Sequence, residues 1–447
     1  MATTEGAHRE SPTDVGAAAS RSGWRATVKA LGPGVVTGAS DDDPSGIATY
    51  SQAGSKFGTA TLWTAPVTLL LMSVVQEICD RTALATGCSL GTLCRRRFRR
   101  RGRIVVGGLL VALLVANALN IGADLAAIGS GMALLHLGPA GVWALVAGAA
   151  ISLVVASGSF AVLARVFKVL SLALLAYFAV LFFAHVRWGD VARATVTPHL
   201  QLSGGFIAIL VAVLGTTISP YLFFWQTEHR VEQLRAEPTG GDLAVPLDER
   251  PPEAARRERR RSRLDVILGM ALSNAVMFAI IVASASTLGA NGVGSIDSAA
   301  QAADALRPFA GEYAVVLFAL GFIATGVLAV PVLAGAASAG LAGLLGRHWG
   351  YSRSVREAPV FYGLVFVGTI GGSIATTLGA NPITLLVVVA LINGIAAAPF
   401  LVVLMLVSGD SEIMHEHRNR RIATIVGWST AGLMAVAGIA ALLTFGS

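Results

Sequence analysis

Three consecutive carboxylates, Asp41, Asp42 and Asp43, lie in the segment Gly38-Ala39-Ser40-Asp41-Asp42-Asp43-Pro44-Ser45-Gly46, which interrupts an apolar run. Carboxylates in apolar surroundings carry a high desolvation cost and are retained there for a functional partner such as a cation. Asp43, directly before the proline, is the foremost candidate for an ion ligand; its plainer alternative is a cap on the helix that restarts at Pro44. Asp42 and Asp41 either share the ion or only set the potential of its entrance. A second interruption, Gly215-Thr216-Thr217-Ile218-Ser219-Pro220-Tyr221, offers hydroxyls at Thr216, Ser219 and Tyr221 to match that of Ser45. Unwound backbone near Ala39, Ser40 and Thr216 would add carbonyl oxygens. Asp124, with Asn117 and Asn120 on the same run, and Asn393 are further polar groups inside apolar segments. They suit coupling, gating or water-holding roles, or interhelical hydrogen bonds. Glu77, Asp80 and Arg81 form another polar set, suited to an internal ion pair or a gate.

Enzyme chemistry has no carrier in the chain. It shows no nucleophile elbow, phosphate-cradling loop or His-rich metal motif, and no cofactor is expected. Cys79, Cys88 and Cys94 have no metal-ligand spacing and read as free thiols.

The elements that must position these groups follow from composition. Apolar residues make up 54% of the 447 residues and charged ones 13%, about half the charged share of an average soluble domain. Apolar runs recur near the roughly 20 residues that span a bilayer. They place helices at about 30–54, 60–86, 104–135, 140–158, 163–186, 205–227, 264–289, 313–344, 359–378, 383–408 and 422–445. Membrane lipid is therefore the surrounding partner, and the fold class is an all-α membrane protein of about eleven transmembrane helices. The net charge of +7 does not point to nucleic acid, because the arginines cluster between apolar runs without interleaved aromatics.

Arginine and lysine alternate with the connections. They concentrate in the N-terminal tail, at Arg95–Arg101, near Arg165 and Lys168, in 228–263, at Arg347, Arg353 and Arg356, and at Arg418, Arg420 and Arg421. Positive connections stay on the cytoplasmic side, so the N-terminus is expected in the cytoplasm and the C-terminus outside, in a plasma membrane. The expected organisation is a disordered tail (1–28), a first five-helix repeat (29–186), an outer connection with helix six (187–227), a basic cytoplasmic loop (228–263), the rest of a second repeat (264–408), and helix eleven with the C-terminus (409–447). The basic loop, with Arg256 to Arg263, reads as a solvated topology signal, with an anionic-lipid or nucleic-acid patch as the alternative. No visible segment resembles a cleavable signal peptide.

Proline removes an intrahelical hydrogen bond and clashes with the preceding turn. Helices one and six each carry a glycine followed by a proline, so both are expected to be broken. Irregular backbone at membrane depth is tolerated where it lines protein or a wet cavity. Broken helices at matching positions in two sets of five indicate an inverted repeat whose substrate lies between the breaks. This implies alternating-access movement of a small inorganic ion, and a monomer is compatible with it.

The residues themselves resemble the Nramp (natural resistance-associated macrophage protein) family. The resemblance runs from Leu31-Gly32-Pro33-Gly34 through Asp43-Pro44-Ser45-Gly46-Ile47-Ala48-Thr49, Gln52-Ala53-Gly54, Phe57-Gly58, Ala85-Thr86-Gly87 and Leu93-Cys94-Arg95. Weaker echoes are Asp124-Leu125-Ala126, Leu317-Phe318-Ala319-Leu320-Gly321, Ile413-Met414 and Asn419-Arg420-Arg421. The resemblance implies a LeuT-type fold, with a 5+5 inverted repeat and broken helices 1 and 6, and proton-coupled transport of divalent transition metals. Within it, the family's Asp-Pro-Gly-Asn becomes Asp43-Pro44-Ser45-Gly46, and its Met-Pro-His becomes Ser219-Pro220-Tyr221. A second family histidine aligns with Gln226. The helix-three aspartate is kept as Asp124, while the acid one turn later is Ala127.

Losing the thioether favours hard cations held by oxygen and water. The expected substrate is therefore a magnesium-like divalent cation with weak or no proton coupling, since both histidines are absent. Two alternatives stay open: a transition metal such as manganese or iron, or a small anion such as bicarbonate with sodium at Asp43. A non-transporting sensor is a further, weaker reading.

Overall fold

The structure is a computed structural model that describes residues 37–38, 40–157, 175–238, 240–241, 243–376 and 381–445. The expected tail at 1–28, the start of helix one at 30–36, Ala39, and 163–174 of helix five with Arg165 and Lys168 lie outside the described residues. Among the described residues the regular structure is helical, without a strand.

Helical backbone at Thr37, Gly38, Ser40 and Asp41 stops at a bend at Asp42. Asp43 is extended (φ −71°, ψ 171°), and α1 then runs Pro44–Phe57. Next come α2 (Thr64–Thr86), the short α3 (Leu90–Arg97), α4 (Arg100–Leu134), α5 (Ala140–Ala156), α6 (Leu175–Phe183) and the short α7 (Trp188–Val196). The second half begins with α8 (Gly204–Thr217), broken from α9 (Pro220–Arg235) at Ile218 and Ser219. It continues through α10 (Pro252–Thr287), α11 (Ala314–Leu344), α12 (Pro359–Ala375), α13 (Pro382–Ser408) and α14 (Arg421–Phe445). Among the described residues, six helical stretches are long and apolar enough to cross a membrane, and α5 and α12 are shorter apolar helices.

Both expected breaks are present, and each has a local cause. Pro44 and Pro220 stand at the first position of their second half-helices, where the missing N–H costs nothing. Asp43 caps α1 by accepting from the Gly46 N–H, as caps of this residue type do.

Large apolar side chains are exposed where lipid would lie: Leu153, Phe182, Val367, Ile422 and Leu443 are 64–86% exposed. The interior is built instead on close backbone contact. A Cβ on Gly215 would stand 2.2 Å from the Ala390 carbonyl and 2.3 Å from the Gly394 nitrogen, so α8 and α13 meet through glycine, as small residues permit between membrane helices.

The 228–263 segment departs from expectation. It is largely helical rather than a loop: α9 continues to Arg235 and α10 starts at Pro252. At about 1.5 Å per residue, the basic run extends α10 by several turns beyond its apolar part.

Candidate functional site

The two breaks face each other. Ser45 Oγ donates to Asp43 Oδ1 at 2.6 Å, and the Gly46 N–H reaches the same oxygen at 2.8 Å. Across the gap, Ser45 Oγ lies 3.4 Å from Thr216 Oγ1. A Cβ on Gly46 would meet Thr216 Oγ1 at 3.4 Å and the Tyr50 ring at 3.2 Å. Tyr221 donates its hydroxyl to the Ser40 carbonyl at 3.3 Å, tying the second half of helix six to the first half of helix one. Asp43, Ser45, Gly46, Thr216 and Tyr221 are thus brought together. Ser219 is at the break too, but its hydroxyl donates back to the Gly215 and Thr216 carbonyls at 2.6 and 3.2 Å, finishing α8 rather than pointing free.

Asp42 and Asp41 share a partner: Ser273 of α10 donates to Asp41 Oδ2 at 2.6 Å and lies 3.3 Å from Asp42 Oδ1. The three aspartates are 0–3% exposed and close enough to repel one another. Asp124 is fully buried, within electrostatic reach of Asp43, and neither of its oxygens has a hydrogen-bond partner. The amide atoms of Asn393 on α13 are also buried without partners, and Asn120, one turn earlier than Asp124 on α4, is buried beside Asp43. Asn393 precedes Gly394, whose Cα packs against Val211 and Gly215. Buried polar groups are nearly always satisfied, so these atoms have hydrogen-bonding capacity left unused beside the breaks. Among the described residues no three His, Cys, Asp or Glu side chains are arranged to hold a metal ion. Any ion here would be completed by hydroxyls, carbonyls, amides or water.

Gln226 is not at the breaks. It accepts a hydrogen bond from Thr37 and donates to Asp80 Oδ1 at 2.7 Å. Asp80 also takes Arg230 Nε at 2.7 Å and the hydroxyl of Ser262. Arg230, 2% exposed, reaches Glu258 at 3.6 Å and Asp265 at 3.8 Å. This buried latch joins the first half-helix, α2, α9 and α10. The expected Glu77, Asp80, Arg81 set is therefore divided. Arg81 pairs with Glu77 at 3.2 Å and bonds the His417 carbonyl and Asn419, while Asp80 turns to Arg230.

Sequence reasoning missed Ser273, Arg230, Glu258 and Asp265. A lone serine in an apolar run carries no signal. Arg230 and Glu258 fell in what read as a loop, although the Ala-, Arg- and Glu-rich composition of 252–263 favours helix, and Asp265 stood at the start of the apolar run expected at 264–289.

A multi-pass helical protein with two matched helix breaks enclosing buried carboxylates is a transporter of the LeuT-type 5+5 architecture, and not an enzyme. Its family follows from comparison: the model described as natural resistance-associated macrophage protein-like matches residues 34–444, and the chain belongs to that family. Relatives include the divalent metal cation transporter MntH of Granulibacter bethesdensis, 27% identical over 92% of this chain and 87% of its own. MntH of Deinococcus radiodurans is 26% identical over 92% and 88%. Among solved structures, the Eremococcus coleocola manganese transporter superposes with a TM-score of 0.68 at 16% identity, covering 94% of this chain and 87% of that one. The nucleobase-cation-symport-1 transporter Mhp1 in a closed conformation gives 0.58 at 16% identity, covering 92% and 91%.

Proposed function

We propose that this chain moves a divalent metal cation by alternating access, with manganese as the substrate and Asp43 as its anionic ligand. The observation that carries the reading is the meeting of Asp43, Ser45 and Gly46 with Thr216 across two helix breaks, beside the unpartnered Asp124. Relatives named divalent metal cation or manganese transporters support the substrate class. The donor chemistry agrees, since carboxylate, hydroxyl, carbonyl and water suit manganese as well as magnesium. Asp42, Asp41 and Tyr221 shape the field and the closure of the site. Asp124 and Asn393 hold water or protons beside it, and Gln226 acts at the latch. The arginine-rich connections support a cytoplasmic N-terminus and a plasma-membrane location.

A magnesium-like substrate with little proton coupling is the second reading, favoured by one observation. Where the family has thioether and imidazole, this chain has Ser219, Tyr221 and Gln226. The test is uptake of manganese and magnesium into proteoliposomes by the native protein, Asp43→Ala and Ser219→Met. Manganese flux that is lost in Asp43→Ala supports the main reading. Magnesium flux of equal size that falls in Ser219→Met supports the second. Absence of any divalent flux from folded protein sinks both and turns attention to a small anion.

A further inference from the structure

We infer that the arginine-rich end of α10 is a docking surface for the head groups of anionic phospholipids. Helix geometry carries the argument. With 3.6 residues per turn, Glu258, Ser262 and Asp265 fall within about 60° of one another on α10, and these are the side chains that face Arg230 and Asp80. Arg260 lies about 170° from the centre of that face, Arg257 about 110° and Arg261 about 70°, and all three are exposed. Arg256, Arg259 and Arg263 flank them and are also exposed.

The helix continues without a break into its apolar span. There Leu264, Ile267, Leu268 and Leu272 are 40–59% exposed. Counted at 100° per residue, these four side chains occupy an arc of about 140°, and Arg257, Arg260 and Arg261 fall inside it. One stripe therefore passes from guanidinium groups to lipid-facing apolar side chains along a single face. A phospholipid whose acyl chains pack against Leu264, Leu268 and Leu272 places its phosphate at Arg260 and Arg261.

A nucleic acid would meet the arginines but gain nothing from the apolar continuation, whereas an anionic lipid uses both. Guanidinium groups suit phosphate through paired donors, and clusters of four to eight basic residues next to a transmembrane helix attract anionic lipid. Glu253, further out on the same arc, is the acid that limits the stripe at its outer end. Because another face of these turns forms the latch, a lipid seated here would steady the helix that holds Arg230.

The test uses the full-length purified protein in neutral detergent, titrated with phosphatidylglycerol or phosphatidylcholine and read by native mass spectrometry and thermal midpoint. Phosphatidylglycerol is expected to bind and to raise the midpoint, and phosphatidylcholine is not. Replacing Arg257→Gln, Arg260→Gln and Arg261→Gln together should weaken phosphatidylglycerol binding about a hundredfold. The matching lysine triple keeps most of the binding and shows that the helix still folds. A control triple of equal charge loss, Arg99→Gln, Arg100→Gln and Arg101→Gln, keeps the binding. The proposal is overturned if the α10 triple binds as the native chain does, if the control loses as much, or if inorganic phosphate or a short oligonucleotide displaces the lipid stoichiometrically.

Discussion

Replacing Arg230 tests the latch most directly. Its guanidinium is buried among three carboxylates, Asp80 at 2.7 Å, Glu258 at 3.6 Å and Asp265 at 3.8 Å. Arg230→Met keeps most of the volume and removes the guanidinium that those carboxylates face. Removing one partner of a buried pair typically costs about 3–5 kcal/mol, because the remaining charge is left uncompensated. Asp80→Asn is the milder change. Arg230 then retains two carboxylates, and the loss approaches that of a charge-assisted hydrogen bond, about 1.5–3 kcal/mol. The order Arg230→Met worse than Asp80→Asn is thus fixed by the geometry, and the double variant should cost less than the sum of the singles. Thermal unfolding of purified protein, followed by tryptophan fluorescence at one scan rate, ranks the four proteins. Equal midpoints for native and Arg230→Met, or Asp80→Asn falling below it, would refute the account of the latch.

Further expectations can be checked in parallel. Asp43→Ala should abolish metal uptake while leaving the thermal midpoint within a few degrees of native, since its local bonds cap only one half-helix; retained uptake would move the ligand elsewhere. Gly215→Ala should destabilise by about 1–3 kcal/mol through overpacking against the Ala390 carbonyl. Gly108→Ala, on α4 with nothing within 4 Å of its would-be Cβ, should be neutral or slightly stabilising; equal thermal midpoints for the two variants would contradict this. Burial pushes the Cys94 thiol up to about 12. Thiolate is the reactive form, so at pH 8 only about one Cys94 thiol in ten thousand is ionised. Maleimide labelling followed by mass spectrometry should find the partly exposed Cys88 modified first, with both rates rising as pH rises. Fast labelling of Cys94 at pH 7 would disprove the burial.

Much of the architecture is legible in the chain because the bilayer imposes it. Apolar runs of spanning length had to be helices, and Pro44 and Pro220 had to interrupt two of them. The pairing of polar groups is less legible. Gln226 aligns with a family histidine and reads as a coupling or gating group, and the second half-helix sets it against Thr37 and Asp80, a placement that depends on how α9 lies against α2. The stretch 252–263 misleads in another way. Hydropathy drops there, so it reads as a loop, whereas its helix-forming residues simply extend α10. Ser273 had no sequence signal at all; only the approach of α10 to the first break makes it a partner of Asp41 and Asp42.

The 36-residue continuity of α10 has a mechanical consequence. Ser273, which holds the aspartates of the first break, and Ser262, which holds Asp80, are eleven residues apart and point to nearly the same side of one unbroken rod, about 16 Å from each other. A rod of hydrogen-bonded backbone does not stretch or unwind cheaply, so a slide or tilt that frees one serine moves the other in step. The first break and the latch then share a single mechanical coordinate, and loosening either end should be felt at the other without any chain of intermediate side chains to relay it.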